Sequence, residues 1–145
     1  MKESNKDRAI KVAIEYTDKA ITFKSKVGAC IYSNDNLYPG FNVENKIHKG
    51  YHAEEMAIIN SIQDRADPDE LLGIVISYEF DDHKVYPACA SCRQYLWEYT
   101  NPELLITVVD KKGNIEYESK LKYLYPMPYP ERRWYLEYWR KEHGQ

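Results

Sequence analysis

The sequence predicts an α/β fold, a three-layer α/β/α sandwich with one sheet between helices. Three observations lead there. Segments with apolar residues at helical spacing alternate with short apolar runs rich in β-branched residues. The connections between them are short. No internal repeat, low-complexity tract or linker divides the chain.

The elements follow in order. Asn5 to Ala20 carries apolar Ala9, Ile10, Val12, Ala13, Tyr16 and Ala20, the spacing of an amphipathic helix. Val27 to Ser33 and Leu37 to Val43 are apolar runs separated by the polar Asn34-Asp35-Asn36, which predicts a hairpin. His52 to Ile62 returns to helical spacing through Ala53, Met56, Ala57 and Ile59, and Asp67-Pro68-Asp69 breaks it. Leu71 to Tyr78 is continuously apolar and β-branched, a fully buried strand. Ala90 to Tyr99 reads as a helix stopped by Asn101-Pro102, and Leu104 to Val109 as another buried strand. A turn at Lys111 to Asn114 leads into a short strand, Ile115 to Glu118. The Pro-rich Pro126 to Pro130 ends the main domain, and Glu131 to Lys141 forms an additional helix.

A chain of 145 residues fits one domain able to bury a core without disulfides. Apolar residues make up 43% and charged residues 30%, an ordinary globular balance; 14 tyrosines, many near the C-terminus, are the unusual feature. The net charge is -3 and the pI about 5.8. A protein that grips a nucleic-acid backbone carries a basic excess or stripe, so a small-molecule ligand is expected and nucleic acid is not. The first residues are charged and lack the apolar core of a secretory signal, and no apolar run approaches the ~20 residues of a membrane span. The expectation is a cytoplasmic protein without a membrane partner. Two of the three cysteines, Cys89 and Cys92, sit three apart, which in a reducing compartment reads as a metal or redox motif.

The chemistry concentrates in His52-Ala53-Glu54 and Cys89-Ala90-Ser91-Cys92, each at the start of a predicted helix. Zinc takes nitrogen and sulfur ligands in a tetrahedron, and a catalytic zinc keeps one position for water, whose pKa falls from about 15.7 to about 7. His52, Cys89 and Cys92 supply three ligands. The i, i+3 spacing lets both thiolates face one metal across the first helical turn, where the helix N-terminus favours the thiolate form. Glu54, two residues from His52, is placed to move protons. A Cys-x-x-Cys alone also fits a redox pair or structural zinc. Structural zinc normally has four protein ligands, and the remaining cysteine, Cys30, lies inside an apolar strand as an expected core residue.

The signature of zinc deaminases is H-x-E…P-C-x-x-C, which His52-Ala53-Glu54 and Cys89 to Cys92 match apart from the place of the proline. From about Val27 to Pro126 the chain resembles the small cytidine deaminases and their blasticidin-S deaminase relatives. The matching pieces are Val27-Gly28-Ala29, Gly40 to Asn45 (GFNVEN), His52 to Ile58 (HAEEMAI), Cys89 to Tyr99 (CASCRQYLWEY) and Leu124-Tyr125-Pro126. The resemblance implies a five-stranded mixed sheet, a catalytic Zn²⁺ and hydrolytic deamination of a cytosine nucleoside. It implies that Glu54 shuttles protons and that Asn42 and Glu44 bind the ribose hydroxyl. Ala53 and the backbone around Ser91 match positions that contact the base and the leaving amine. Residues 1-128 would form the deaminase domain and 129-145 a C-terminal aromatic-rich helical extension. The resemblance also implies a homotetramer, often with neighbouring chains completing each site.

The chain departs from that pattern at four places. His52 stands where most small tetrameric relatives have Cys, which leaves the zinc with its ligand set formally neutral. Glu55 follows Glu54 where relatives carry an Arg that offsets a third thiolate. Ser25 occupies the place of a Phe that packs on the base, with Phe23 two residues earlier as the substitute. Pro87 is displaced by the inserted Ala88.

The alternatives are a deaminase of another amino-substituted base, a nucleoside antibiotic or a nucleotide, a nucleic-acid editing deaminase, and a non-catalytic zinc module. Asn42-x-Glu44 and the acidic pI weigh against editing. Glu54, a carboxylate outside the ligand set, weighs against a purely structural zinc. A nucleotide enzyme needs a phosphate site, and no Gly-rich loop or basic cluster accompanies Asn42. His48, His83 and His143 lie in polar stretches and are expected as solvated surface residues. The segment Tyr129 to Lys141 interleaves basic and aromatic residues, but Glu131 and Glu137 within it and the following Glu142 nearly cancel the charge. It is expected to pack on the domain or on a neighbouring subunit.

Overall fold

The computed structural model describes residues 3–23, 25–47, 49–79 and 87–145. Five strands form a mixed sheet in the order β2-β1-β5-β6-β7: β1 Val27–Tyr32, β2 Leu37–Phe41, β5 Gly73–Tyr78, β6 Leu105–Val109 and β7 Ile115–Lys120. β1 is antiparallel to both β2 and β5, β5 is parallel to β6, and β6 is antiparallel to β7. The five-stranded mixed sheet implied by the family resemblance is therefore present.

The central strands β1, β5 and β6 are apolar on both faces because both faces are covered, whereas the edge strand β7 is largely exposed. Ala29, Ile31, Ile74, Ile76 and Ile106 point into one core with Ala53, Ala57 and Ile58 of α2 (Ala53–Gln63) and Cys92 and Leu96 of α3 (Ala90–Tyr99). The alternate residues Cys30, Tyr32, Val75 and Val109 pack on Ala9 and Ala13 of α1 (Asn5–Lys19). Cys30 is fully buried, and burial pushes its thiol up to about 12, so it is a core residue as expected.

Helix and sheet approach closely at glycine. A Cβ on Gly28 would lie 2.1 Å from the Ala13 carbonyl oxygen, and one on Gly40 would lie 2.5 Å from the Ala57 nitrogen and 2.6 Å from the Ala53 oxygen. These contacts give a packing reason for two glycines of the sequence motifs. Gly40 seats the first turns of α2, which carry His52 and Glu54. Gly40→Ala is expected to force α2 outward, and overpacking of this kind costs about 1–3 kcal/mol. Thermal unfolding should show a midpoint lower by roughly 5–10 °C. An unchanged midpoint would contradict the contact.

Several boundaries differ from the sequence reading. The predicted strand from Leu37 to Val43 breaks at Asn42. There the side-chain oxygen accepts from the Val27 N–H at 2.9 Å and the amide nitrogen donates to the Ser25 carbonyl at 2.8 Å. The chain then leaves the sheet and forms a two-residue ladder, β3 Val43–Glu44 with β4 Gly50–Tyr51, too short to leave a periodic signal. β7 continues to Lys120 and runs directly into a one-turn helix, α4 Leu121–Leu124. The C-terminal helix, α5, spans Trp134–Glu142.

The C-terminal segment packs on its own domain. Trp97 Nε1 donates to the Pro130 carbonyl at 2.7 Å, Arg133 Nη2 to the Thr100 carbonyl at 2.7 Å and Trp139 Nε1 to the Arg65 carbonyl at 2.8 Å. Tyr99 of α3 meets Trp134 edge-on and Tyr135 at a tilt, with centroids 5.6 and 4.8 Å away. Among the described residues, no helix is long and apolar enough to cross a membrane.

Candidate metal centre and active-site cleft

The two chemistry-bearing segments meet at converging helix starts. His52 is the N-cap of α2 and Cys89 the N-cap of α3, so both helix N-termini turn their partial positive charge toward one point. His52 Nδ1 lies 3.2 Å from Cys92 Sγ and 3.3 Å from Cys89 Sγ. All three ligand atoms lie within 4.8 Å of one another. In a tetrahedral zinc site such N–S pairs stand roughly 3.5 Å apart, so the donor set and its spacing fit Zn²⁺. Three protein ligands suit a catalytic zinc, which leaves one position for water.

Around these ligands the backbone is fixed by short-range bonds. Glu55, at the place of the family's Arg, caps α2 by accepting from the His52 N–H at 3.3 Å. Cys89 Sγ accepts from the Cys92 N–H at 3.5 Å. Arg93 donates from Nε to the Pro87 carbonyl at 3.4 Å and from Nη1 to the Leu124 carbonyl at 3.2 Å. It thus ties the cysteine turn to the Leu-Tyr-Pro piece. Ala88 has φ +67°, a left-handed conformation that costs a non-glycine residue about 1–2 kcal/mol.

Burial raises the Glu54 carboxyl above its ordinary range, and the hydrogen bond to the Cys92 thiol and the nearby His52 oppose the rise. Burial, reinforced by Glu54, also pushes the Cys92 thiol upward. The sequence predicts that the helix N-terminus favours the thiolate form; at Cys92 burial and Glu54 act against it. The residue is fully buried, and in such a place a divalent cation must displace the thiol proton.

A cleft of about 460 Å³ opens over the ligands, within the range for small-molecule sites. His52, Ala53, Glu54 and Cys89 line it together with Asn42 and Glu44. Glu44 accepts a hydrogen bond from Thr22, and the Asn42 amide is partly used by Ser25 and Val27. Phe23 and Ser91 are not in the lining. The Phe23 ring is 56% exposed beneath the Lys46 ammonium, 4.7 Å from its centroid, and Ser91 is exposed on the first turn of α3. Ser25 takes the wall position, because the Asn42–Ser25 bond fixes that segment against the cleft. His143 stacks on Trp139 at 3.8 Å, far in sequence from the ligands, whereas His48 and His83 lie outside the described residues. The sequence reading missed Tyr78 and the lining role of Arg93. Tyr78 looks like the last apolar residue of a buried strand. The available signal was its place at a strand's carboxyl end, where α/β proteins bind ligands.

Fold and ligand set together define a zinc-dependent deaminase, a hydrolase. The profile of the cytidine and deoxycytidylate deaminase zinc-binding region matches residues 3–108, and the chain belongs to this family. It is 30% identical over 103 residues to a cytidine deaminase of Sporosarcina psychrophila, covering 70% of this chain and 73% of that one. The fold is similar to cytidine deaminase from Burkholderia pseudomallei, with TM-score 0.75 and 26% identity over 84% of this chain and 97% of the other. Cytidine deaminase from Mycobacterium tuberculosis shares the fold at TM-score 0.68 and 21% identity, over 88% and 98% of the two chains.

Proposed function

We propose that the protein hydrolyses the amino group from C4 of a free cytosine nucleoside, cytidine or deoxycytidine, giving the uracil nucleoside and ammonia. One juxtaposition carries this reading: Asn42 and Glu44 line the same cleft as His52, Ala53, Glu54 and Cys89. Bound zinc would supply Lewis acidity that makes a water nucleophilic near neutral pH. Glu54 accepts a proton of the attacking water and delivers it to N3 of the ring. A second proton transfer lets the C4 amino group depart as ammonia, and the water oxygen becomes the C4 carbonyl. Asn42 and Glu44 offer an amide and a carboxylate, complementary partners for one sugar hydroxyl. Ala53, in the lining, would border the base, whereas Ser91 lies outside the lining and keeps no assigned contact in this reading.

The test is a panel of nucleosides, nucleotides and free bases followed by ammonia release. A site built to hydrogen-bond a hydroxyl rejects ligands lacking it by on the order of 10⁴-fold, because its polar groups are left unpaired. Cytidine should therefore far outrun free cytosine, and Glu44→Ala should erase much of that difference through kcat/KM for the nucleoside. Equal turnover of cytosine and cytidine by the unmodified enzyme would reject the sugar-binding role. A second reading, a larger or differently substituted amino-ring, gains support from Ser25, whose small side chain lies in the wall while Phe23 lies outside it.

The same reading places the protein in the cytoplasm as a homo-oligomer, most simply a tetramer, with the aromatic C-terminal segment near an interface. Trp134 and Tyr138 remain 40% and 45% exposed after packing on α3, which supports a further contact there. Light scattering that shows a monomer at micromolar concentration would reject this assembly.

A further inference from the structure

We propose that Tyr78 is a positioning residue for the zinc site: its phenol oxygen holds the Ala88 backbone in the left-handed turn that aims Cys89 at His52 and Cys92. Tyr78 is the last residue of β5 and is paired with Val27 of β1, so its backbone is fixed by the sheet. Its side chain lines the cleft with Glu54, Ala88 and Cys89. The Ala88 backbone hydrogen-bonds its phenol oxygen.

Ala88 needs such support. Its φ of +67° suits glycine, and its side chain is 5% exposed, so it is held in this conformation inside the wall. A non-glycine residue persists there only when its surroundings over-determine it. The next residue is Cys89, whose sulfur stands 3.3 Å from His52 Nδ1. Arg93 grips Pro87 at 3.4 Å from α3, but Arg93 rides on the same helix as Cys92. Tyr78 instead ties the turn to the sheet, the rigid reference for α2 and His52. Partners that orient metal ligands typically contribute 10–100-fold to metal affinity.

The experiment measures zinc release from the purified, zinc-loaded protein into excess chromophoric chelator. Wild-type zinc content is measured first, and a protein without zinc would reject the metal site itself. Tyr78→Phe keeps the ring and its packing while removing the oxygen. It is expected to release zinc about 10-fold faster, with circular dichroism unchanged. Adding Ala88→Gly to that variant should slow release again, because glycine adopts the turn without an anchor. Release from Tyr78→Phe at the wild-type rate would overturn the proposal. So would a double variant that loses zinc as fast as Tyr78→Phe, since the effect would then not pass through Ala88.

Discussion

Glu54→Gln is expected to lower deamination by ~10²–10⁴-fold while zinc content and fold remain those of the unmodified protein. The amide is nearly isosteric with the carboxyl, so the buried position, 4% exposed beneath the cleft, stays filled. What it loses is the ability to take a proton from water and return it to the ring. The side chain is not one of the three metal-facing residues, so metal analysis should still find about one zinc per chain. Retention of more than roughly a tenth of the original rate would reject Glu54 as the proton carrier.

Cys92→Ala is expected to abolish stoichiometric zinc binding and, with it, turnover. Cys92 contributes a sulfur 3.2 Å from His52 Nδ1, and its side chain is fully buried between α2 and the sheet. Removing it leaves two ligands and a small apolar gap. Cys89→Ala should behave alike for zinc but disturb packing less, because Cys89 is exposed at the cleft. Metal analysis of both purified variants is the measurement. Full zinc occupancy in both would dismiss the assigned ligand set.

Much of the site was legible because it is locally encoded. An HxE segment and a CxxC segment at two helix starts carry their geometry with them. The N-cap position fixes where the His52 ring and the Cys89 sulfur leave the chain, and i, i+3 spacing places Cys92 on the same side. The long apolar runs equally announced the buried strands, and the amphipathic pattern announced α1. Asn42 was singled out by the family resemblance inside a predicted strand, but its bonds to Val27 and Ser25, which end that strand, belong to the pairing of two distant segments.

The sequence by itself therefore determined the layered fold, the zinc donor set and the neighbouring carboxylate, since each depends on residue type and on spacing within a turn or two. Only the tertiary structure decided which side chains wall the cleft. Ser25 entered it and Phe23 did not, because the wall is set by how the residues before β1 dock on Asn42. Tyr78 joined the ligands because β5 pairs Val27 with Tyr78 and ends beside the turn at Ala88. Such contacts arise from register and packing between residues far apart in the chain, which spacing along one segment does not encode.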